Sequence, residues 1–528
     1  EAGGRSTLAV NGVLQVDETT SGHLTISQGH KFQVTCDLQR GCISNLLYDN
    51  VNMIEGGFGP QLDAFRAPVN NDNWGQSSWY EHGLNRMQHK NLSWNKHVND
   101  NGSVSIAFVT ESQAEGCEFK FQDNIVYTVY ADGSIEVQSA ITSNKPTLVL
   151  PRLGYVMKLP KSLHHLTYYG RGPIDNYPDR KTGQNIGIYN NNVENEFENF
   201  PKPQDMGNHQ DTRYCQLTNE QGKGLLFIAE DNMSFSALPW TSQELAKAKH
   251  PYELPMSTGN ILHLDISTTG LGGNSCGQGP PLEQDRVKAT PHTFAFIIRP
   301  ATTSQIQLVK SSGPAPLMMQ RDAEGNVTIT SMKANHQPIY YTIDDNSKKK
   351  SSKPQLYKGS FNLRNGGVVK AYEQGNEWMS ISKEFERIDH IPVTVSFASS
   401  VESGEGDAEH LVDGNPNTYW HTMWSVTVAN YPHWVDFDCG GMKTLKGFVY
   451  LPRQDSRNGN IKDYTIQVSN DGKNWGEIIH QGTFENNRNE KRVLFSHPVK
   501  TRYLRFNALS SQDGQDFATG AEFSILEQ

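Results

Sequence analysis

The densest cluster of hard oxygen donors in the chain is the stretch His410-Leu-Val-Asp-Gly-Asn-Pro-Asn-Thr-Tyr-Trp-His421, where Asp413, Asn415, Asn417 and Thr418 crowd one glycine-proline turn. Hard cations such as Ca²⁺ take about six to eight oxygens from such carboxylates, amides, hydroxyls and carbonyls. The same side chains also satisfy turns with no ion present, so the turn by itself leaves both readings open. Much later, Gly520-Ala-Glu-Phe-Ser-Ile525 puts Glu522 in a strand-like run with no basic neighbour in sequence. A second chemistry is offered by residues 61–75, Gln-Leu-Asp-Ala-Phe-Arg-Ala-Pro-Val-Asn-Asn-Asp-Asn-Trp-Gly. Loops rich in Asn and Asp beside an aromatic suit sugar hydroxyls, which want paired donors and acceptors; on chemistry alone a loop satisfied by its own hydrogen bonds is the favoured reading. Further dense polar stretches lie at 168–180, 206–214 and 269–276.

Other chemistries find no support. No Walker loop, HExxH or GxSxG motif occurs, and Asp344-Asp345-Asn346 begins like a calcium loop but lacks its glycine and closing glutamate. With 57 acidic residues, a catalytic carboxylate pair can be drawn anywhere, so drawing one identifies nothing. Against 47 basic residues the formal charge is −10, and the single basic run, Lys348–Lys353, reads as a solvated loop; nucleic acid is therefore not an expected partner. No apolar run approaches the roughly 18 residues of a membrane span, and Phe294–Ile298 reads as a buried strand. The cysteines Cys36, Cys42, Cys117, Cys215, Cys276 and Cys439 have neither zinc-ligand nor disulfide-framework spacing. Cys36 and Cys42 are placed to face each other across a hairpin, but buried free thiols are the favoured reading. Glu1–Arg5 carries no signal segment: it was removed, or the chain was cut from something longer.

The elements that must position these groups are strands. Runs such as His23–Ser27, Phe32–Cys36, Ile43–Leu47, Val104–Val109, Asn124–Tyr130 and Ser134–Gln138 are closed by turn residues, and Ala131-Asp-Gly-Ser134 reads as a hairpin turn. With 46 glycines and 25 prolines, turns are plentiful. Helical periodicity is confined to Trp79–Met87 and Ser242–Ala248, so the eight strand-helix repeats of a (β/α)₈ barrel are missing. The fold class is all-β. Seams fall at the Pro/Gly/Ser stretch 310–316 and near 387–392, which gives residues 1–18 as a linker from an upstream domain, then domains at 19–310, 311–388 and 389–528.

The segment Phe65-Arg-Ala-Pro68 with Asn71-Asp72, the segment Gly170-Arg-Gly-Pro173 with Asn176-Tyr-Pro-Asp-Arg180, and Gly272-Gly273 resemble the C-terminal β-supersandwich domain of glycoside hydrolase family 2 β-galactosidases over roughly residues 20–305. The resemblance implies loops that close one side of an active-site mouth, with the acid/base and nucleophile glutamates in an upstream barrel. No catalytic residue is expected in this chain. One departure is Cys276: the family's usual pattern places a tryptophan there as a platform for the leaving sugar, and a thiol offers no such flat face. Residues 326–374 are similar to the small accessory β-sandwiches at the C-termini of chitobiases and hexosaminidases and read as a spacer.

Residues 390–528, including Asn470-Asp-Gly-Lys-Asn-Trp475 and Tyr503-Leu-Arg-Phe506, resemble the discoidin, or coagulation factor 5/8 type C, jelly-roll and within it carbohydrate-binding module family 32. That resemblance implies a structural Ca²⁺ held by the His410 carbonyl, Asp413, Asn415, Thr418, the Ala521 carbonyl and Glu522. It also implies a site for galactose or N-acetylgalactosamine built from His421, Trp424, Arg453, Asn458 and Phe517, with Glu402 as an added hydrogen-bond partner. In that site an axial hydroxyl would accept from His421 and Arg453. The whole is then expected to be the non-catalytic C-terminal part of a periplasmic, secreted or cell-surface β-galactosidase. The alternative is a free-standing lectin-like protein, and the sequence preceding Glu1 would separate the two.

Overall fold

The computed structural model describes residues 5–276, 279–345 and 352–528. The Lys348–Ser351 portion of the basic run and Asn346 of the calcium-like tripeptide lie outside them. The chain divides into two compact units, Glu1–Glu386 and Arg387–Gln528. Strand dominates both, and among the described residues no helix is long and apolar enough to cross a membrane.

The first unit is built on a 12-stranded sheet. Its path runs from Asn185–Asn192 through His165–Gly172, His209–Thr218, Gly224–Leu238, His292–Pro300, Ile135–Ser143, Lys120–Val129 and Val104–Gln113 to Gln88–Val98, every neighbour antiparallel. Residues 294–298 are thus the buried heart of a central strand. The hairpin turn is as expected: Gly133 takes φ +85°, and the Asp132 carboxylate accepts from the Ser134 N–H at 2.9 Å. A five-stranded sheet with order Gln15–Glu18, His23–Gln28, Phe32–Asp37, Cys42–Tyr48, Val51–Asn52 shares one core with it, in which Ile26, Val34, Ile106, Tyr127, Val137 and Phe296 are fully buried. Cys36 and Cys42 sit in this layer as buried free thiols, one residue out of register across their hairpin.

Three expectations need correcting. Residues 5–18 are not a free linker: Ser6–Thr7 pairs in parallel with Val309–Lys310, Arg5 donates to Asp231 O at 2.8 Å, and Gln15–Glu18 is the edge strand of the five-stranded sheet. The 310–316 stretch is likewise docked, because Glu136 accepts from the N–H groups of both Ser312 and Gly313 at 2.8 Å and Gln138 donates to Pro314 O at 3.0 Å. The helix expected over Trp79–Met87 is instead Gln76–Glu81 followed by a short 3₁₀ turn, Leu84–Arg86. Gly83 breaks it with φ +73°, pressed so closely on Ala114 that an added Cβ would lie 2.2 Å from the alanine's own. The second helix, Ser242–Lys247, is closed by a Thr241/Glu244 capping box.

A small sandwich completes this unit. Its three-stranded and four-stranded sheets, the first containing Leu317–Arg321 and the second Gly367–Glu373, enclose a separate core of Val327, Ile329, Tyr341, Val369 and Ala371. In the second unit a seven-stranded sheet centred on His433–Leu451 and Lys491–Ala508 packs around Phe437, Phe448, Phe506 and Phe523. A two-stranded ladder, Trp420–His421 with Thr519–Gly520, stands apart from it.

Two buried ion pairs fix the loops of the large sheet. Arg66 and Asp72 are both fully buried and joined at 2.7 Å, with Arg66 also donating to the carbonyls of Thr269 and Gly270. Arg152 pairs with Asp265 at 2.9 Å and lies 3.6 Å from Asp205. Removing one partner of such a pair strands a buried charge, at a cost of about 3–5 kcal/mol. Asp72→Ala or Arg66→Ala is therefore expected to lower the unfolding midpoint of the first unit markedly. The double variant Arg66→Met/Asp72→Leu should be less harmful than the sum of the singles, as read by circular-dichroism melts; strictly additive losses would mean the charges are not coupled.

Candidate functional site

In the first unit the three characteristic blocks converge. Asp179 accepts from the N–H groups of Leu271 and Gly272 at 2.9 and 2.7 Å, the Tyr177 hydroxyl donates to Asp205 at 2.7 Å, and Arg66 ties residues 65–72 to 269–270. Together they frame an open cleft of about 200 Å³ lined by Asn70, Asn71, Asp175, Tyr177, Arg180 and Leu271. The polar loops are thus partly self-satisfied, yet leave a polar, aromatic-floored concavity. Cys276 is exposed beyond the Gly272–Ser275 turn and offers no ring to it.

The second unit gathers its groups around the two-residue ladder. Pairing Trp420 with Gly520 and His421 with Thr519 sets the 410–418 turn beside Glu522 at one end and the 421–424 segment beside Phe517 at the other. Gly520 is required here, since an added Cβ would lie 2.9 Å from both Leu411 and the Tyr450 ring. At the first end Asp413 accepts from the Thr418 hydroxyl at 2.7 Å and the Asn415 N–H at 2.8 Å. Two further positions have their backbones held: His410 N–H donates to Asp407 O at 3.2 Å, and Ala521 N–H donates to Leu451 O at 2.8 Å.

Glu522 is the anomaly. Burial, then hydrogen bonding and charge from Asp413, push its carboxyl up to about 8, and the other neighbours that set it are the backbone N–H groups of Gly414 and Asn415. None of these is a cation, and Glu522 Oε1 is buried with no hydrogen-bond partner. Two carboxylates in contact, one with an orphaned oxygen, are an arrangement that a bound cation relieves. Asp413, Asn415, Thr418 and Glu522, with the His410 and Ala521 carbonyls, offer oxygen donors only, the chemistry that suits Ca²⁺, although Asn415 Oδ1 already accepts from the Asn417 N–H at 3.2 Å.

At the other end the rings of Trp424 and Phe517 meet His421, with centroids 4.5 and 5.2 Å away. His421 Nδ1 donates to Thr422 O at 2.6 Å, and burial holds its pKa below the ordinary value, so the ring is neutral with Nε2 as an acceptor. This reverses the donor role expected of it. Arg453 lies with its guanidinium 3.7 Å from the centre of the Tyr419 ring and is held in a two-pronged pair with Asp455 at 2.6 and 3.0 Å through Nε and Nη2, leaving Nη1. Asn458 is half-buried next to Phe517, because Gly459 packs against the Phe517 Cβ; its bonds run through its backbone, which leaves the amide side chain for other partners.

Glu402 does not belong on this face. Both its oxygens are taken, Oε2 by the N–H groups of Trp424 and Ser425 (2.8 and 3.0 Å) and Oε1 by the Ser425 hydroxyl (2.6 Å). It holds the Trp424 turn rather than a ligand, and those bonds keep its carboxyl below the usual range. Residues the sequence reading passed over support the face from behind: Tyr419 and Asp455 orient Arg453, while the Tyr431 hydroxyl and the His433 ring donate to the carbonyls of Phe517 and Asp516. Only Tyr419 and Asp455 carried a signal, by lying one or two positions from predicted site residues.

Residues 28–298 match the family described as β-galactosidase small chain, and residues 395–523 match the F5/8 type C domain. The first match covers more than half of the chain, which belongs to that family. Similar proteins include a β-galactosidase of Priestia megaterium, 27% identical over 306 residues (56% of this chain, 28% of the relative). A sialidase of Micromonospora viridifaciens is 31% identical over 217 residues (40% of this chain, 30% of the relative). The chain thus spans less than a third of the length of these relatives. Among solved structures, the family 32 module of NanJ from C. perfringens in complex with galactose is 31% identical, covering 26% of this chain and 98% of that one, with a TM-score of 0.24.

A Ca²⁺ that binds only the folded second unit should stabilise it by RT ln(1 + [L]/Kd), about 2.7 kcal/mol at a 100-fold excess over Kd. Calcium is expected to raise the melting temperature of that unit in the wild type. At a pH above 8, where Glu522 is ionised, Glu522→Gln should melt above the wild type in chelator because the like charge beside Asp413 is gone, and it should lose the calcium response. A variant that melts below the wild type in chelator, or still responds to calcium, would contradict the paired-carboxylate reading.

Proposed function

We propose that this chain is the non-catalytic C-terminal part of a β-galactosidase, completing one edge of the active-site mouth with its large domain and holding galactose-type glycans, N-acetylgalactosamine included, with its last. The parent would hydrolyse terminal β-galactosides with retention, using two carboxylates supplied by a barrel elsewhere in the polypeptide. In the last domain Ca²⁺ would clamp the 410–418 turn to Glu522 and so steady the ladder that carries the sugar face.

One observation carries the reading: Trp424, Phe517 and His421 form a partly exposed aromatic corner next to Arg453 and Asn458. An aromatic face covers the apolar C–H patch of a pyranose, while Arg453 Nη1 and the Asn458 amide donate to hydroxyls and His421 Nε2 accepts from one. The membership of residues 28–298 in the β-galactosidase small chain family supports the placement of the large domain. With Cys276 on the aglycone side, the leaving sugar would be held without an aromatic platform, which favours substrates that do not depend on one.

A shallow face with few polar anchors should bind a monosaccharide with Kd on the order of 0.1–1 mM. Titrating the chain with galactose and glucose by calorimetry or NMR tests this. Galactose should bind more tightly, because the equatorial 4-hydroxyl of glucose leaves a donor unpaired, a penalty of roughly 1–3 kcal/mol. Trp424→Ala and Arg453→Ala should each weaken galactose binding strongly, whereas Glu402→Gln should act only through a loosened Trp424 turn. Equal affinity for both sugars, or a galactose response untouched in Arg453→Ala and Trp424→Ala, would show that this face is not the site.

A further inference from the structure

We propose that His164 and His165, at the start of strand His165–Gly172, form with Glu220 of the neighbouring turn a Zn²⁺ site on the surface of the large domain. Their three donor atoms lie within 4.8 Å of one another. Glu220 Oε1 is 3.1 Å from His164 Nε2 and 3.2 Å from His165 Nε2. Bonds of about 2.0–2.2 Å to imidazole nitrogen and carboxylate oxygen give a tetrahedron with edges of about 3.3 Å, close to both separations.

The outer contacts point the same way. His165 Nδ1 donates to Asn192 Oδ1 at 2.9 Å, and His164 Nδ1 faces Glu194 Oε2 at 3.5 Å. His165 thus has an acceptor hydrogen-bonded at Nδ1, the arrangement that fixes the tautomer of a metal-ligating histidine and leaves Nε2 with its lone pair, while Glu194 lies near Nδ1 of His164 as an ion-pair neighbour. Both Nε2 atoms converge on the same carboxylate oxygen. Protons can bridge the same gaps, but with His165 Nδ1 already donating to Asn192 a second proton on its Nε2 makes that ring an imidazolium, 4.3 Å from the His164 ring centre. A single divalent cation satisfies all three donors with both rings neutral. Imidazole with carboxylate suits Zn²⁺ rather than Ca²⁺ or Mg²⁺, and three protein ligands leave an open position at the solvent.

The backbone presents the ligands without rearrangement. His165 is in register with both Asn192 and Thr218 in adjacent antiparallel strands, and Val193 N–H donates to His164 O at 2.9 Å. Glu220 projects from the turn that follows the strand ending at Thr218, where Asn219 Oδ1 accepts from the N–H groups of Gln221 and Lys223 at 3.0 Å.

The test is calorimetric titration of the chelator-treated chain with Zn²⁺ in calcium-saturated buffer, together with the visible spectrum after Co²⁺ addition. One equivalent of Zn²⁺ is expected to bind, and Co²⁺ should give the intense absorption of a tetrahedral centre. Glu220→Gln and His165→Gln should abolish that spectrum. Asn192→Ala, which touches no metal, should weaken Zn²⁺ by about 10-fold through the second shell. All three variants should melt as the wild type does in chelator. No saturable Zn²⁺ binding, an octahedral Co²⁺ spectrum, or unchanged affinity in Glu220→Gln and Asn192→Ala would overturn the site.

Discussion

The polar machinery of the C-terminal unit depends on the ladder that pairs Trp420–His421 with Thr519–Gly520. A ladder this short is weak alone, and it stands because Trp420 is buried in the core and Gly520 admits the Leu411 and Tyr450 side chains. Antiparallel pairing makes the residues before one strand neighbours of those after the other. The oxygen-rich turn therefore meets Glu522, and the 421–424 segment meets Phe517. The oxygen-donor end and the aromatic end are two consequences of one register, so the clamp proposed at the first would bear on the shape of the second.

The large domain solves a comparable problem with charge. Loops as far as 204 residues apart in sequence are joined by Arg66, which links Asp72 to the carbonyls of Thr269 and Gly270, and nearer ones by Arg152, which links Asp265 and Asp205. Buried ion pairs are poor sources of net stability because desolvation offsets the attraction, but they hold direction well. Here they fix the floor of a polar cleft to the end of a stiff sheet. The thiol at position 276 shows how little of the loop chemistry is set by that frame: the scaffold presents the position, and the side chain decides what it can hold.

Much of this was legible in the chain itself. Alternating runs such as Phe32–Asp37 and the Asp-Gly turn at 132–133 obey local rules, and strand after strand lies where the periodicity puts it. The oxygen-rich turn at 413–418 was legible as a turn because its hydrogen-bonding partners are close in sequence. What was not legible depended on distant partners. The Pro/Gly/Ser stretch at 310–316 looks like a spacer until Glu136 is found accepting from the N–H groups of Ser312 and Gly313, and residues 5–18 look like a lead-in until Val309–Lys310 pairs with Ser6–Thr7. Glu402 resembles a ligand on paper, but its carboxylate is consumed by the turn at Trp424–Ser425. The His164–Glu220 cluster has no motif at all, since a turn and three strands assemble it.

The central proposal is that this chain holds sugars while the carboxylates that cleave them lie elsewhere in the polypeptide. It is tested most directly by assaying purified 1–528 for hydrolysis of a chromogenic β-galactoside across a range of pH. The expected result is turnover indistinguishable from the buffer blank. Turnover clearly above blank that disappears when one acidic residue within this chain is neutralised would contradict it, because the reacting carboxylates would then lie in the β-domains themselves.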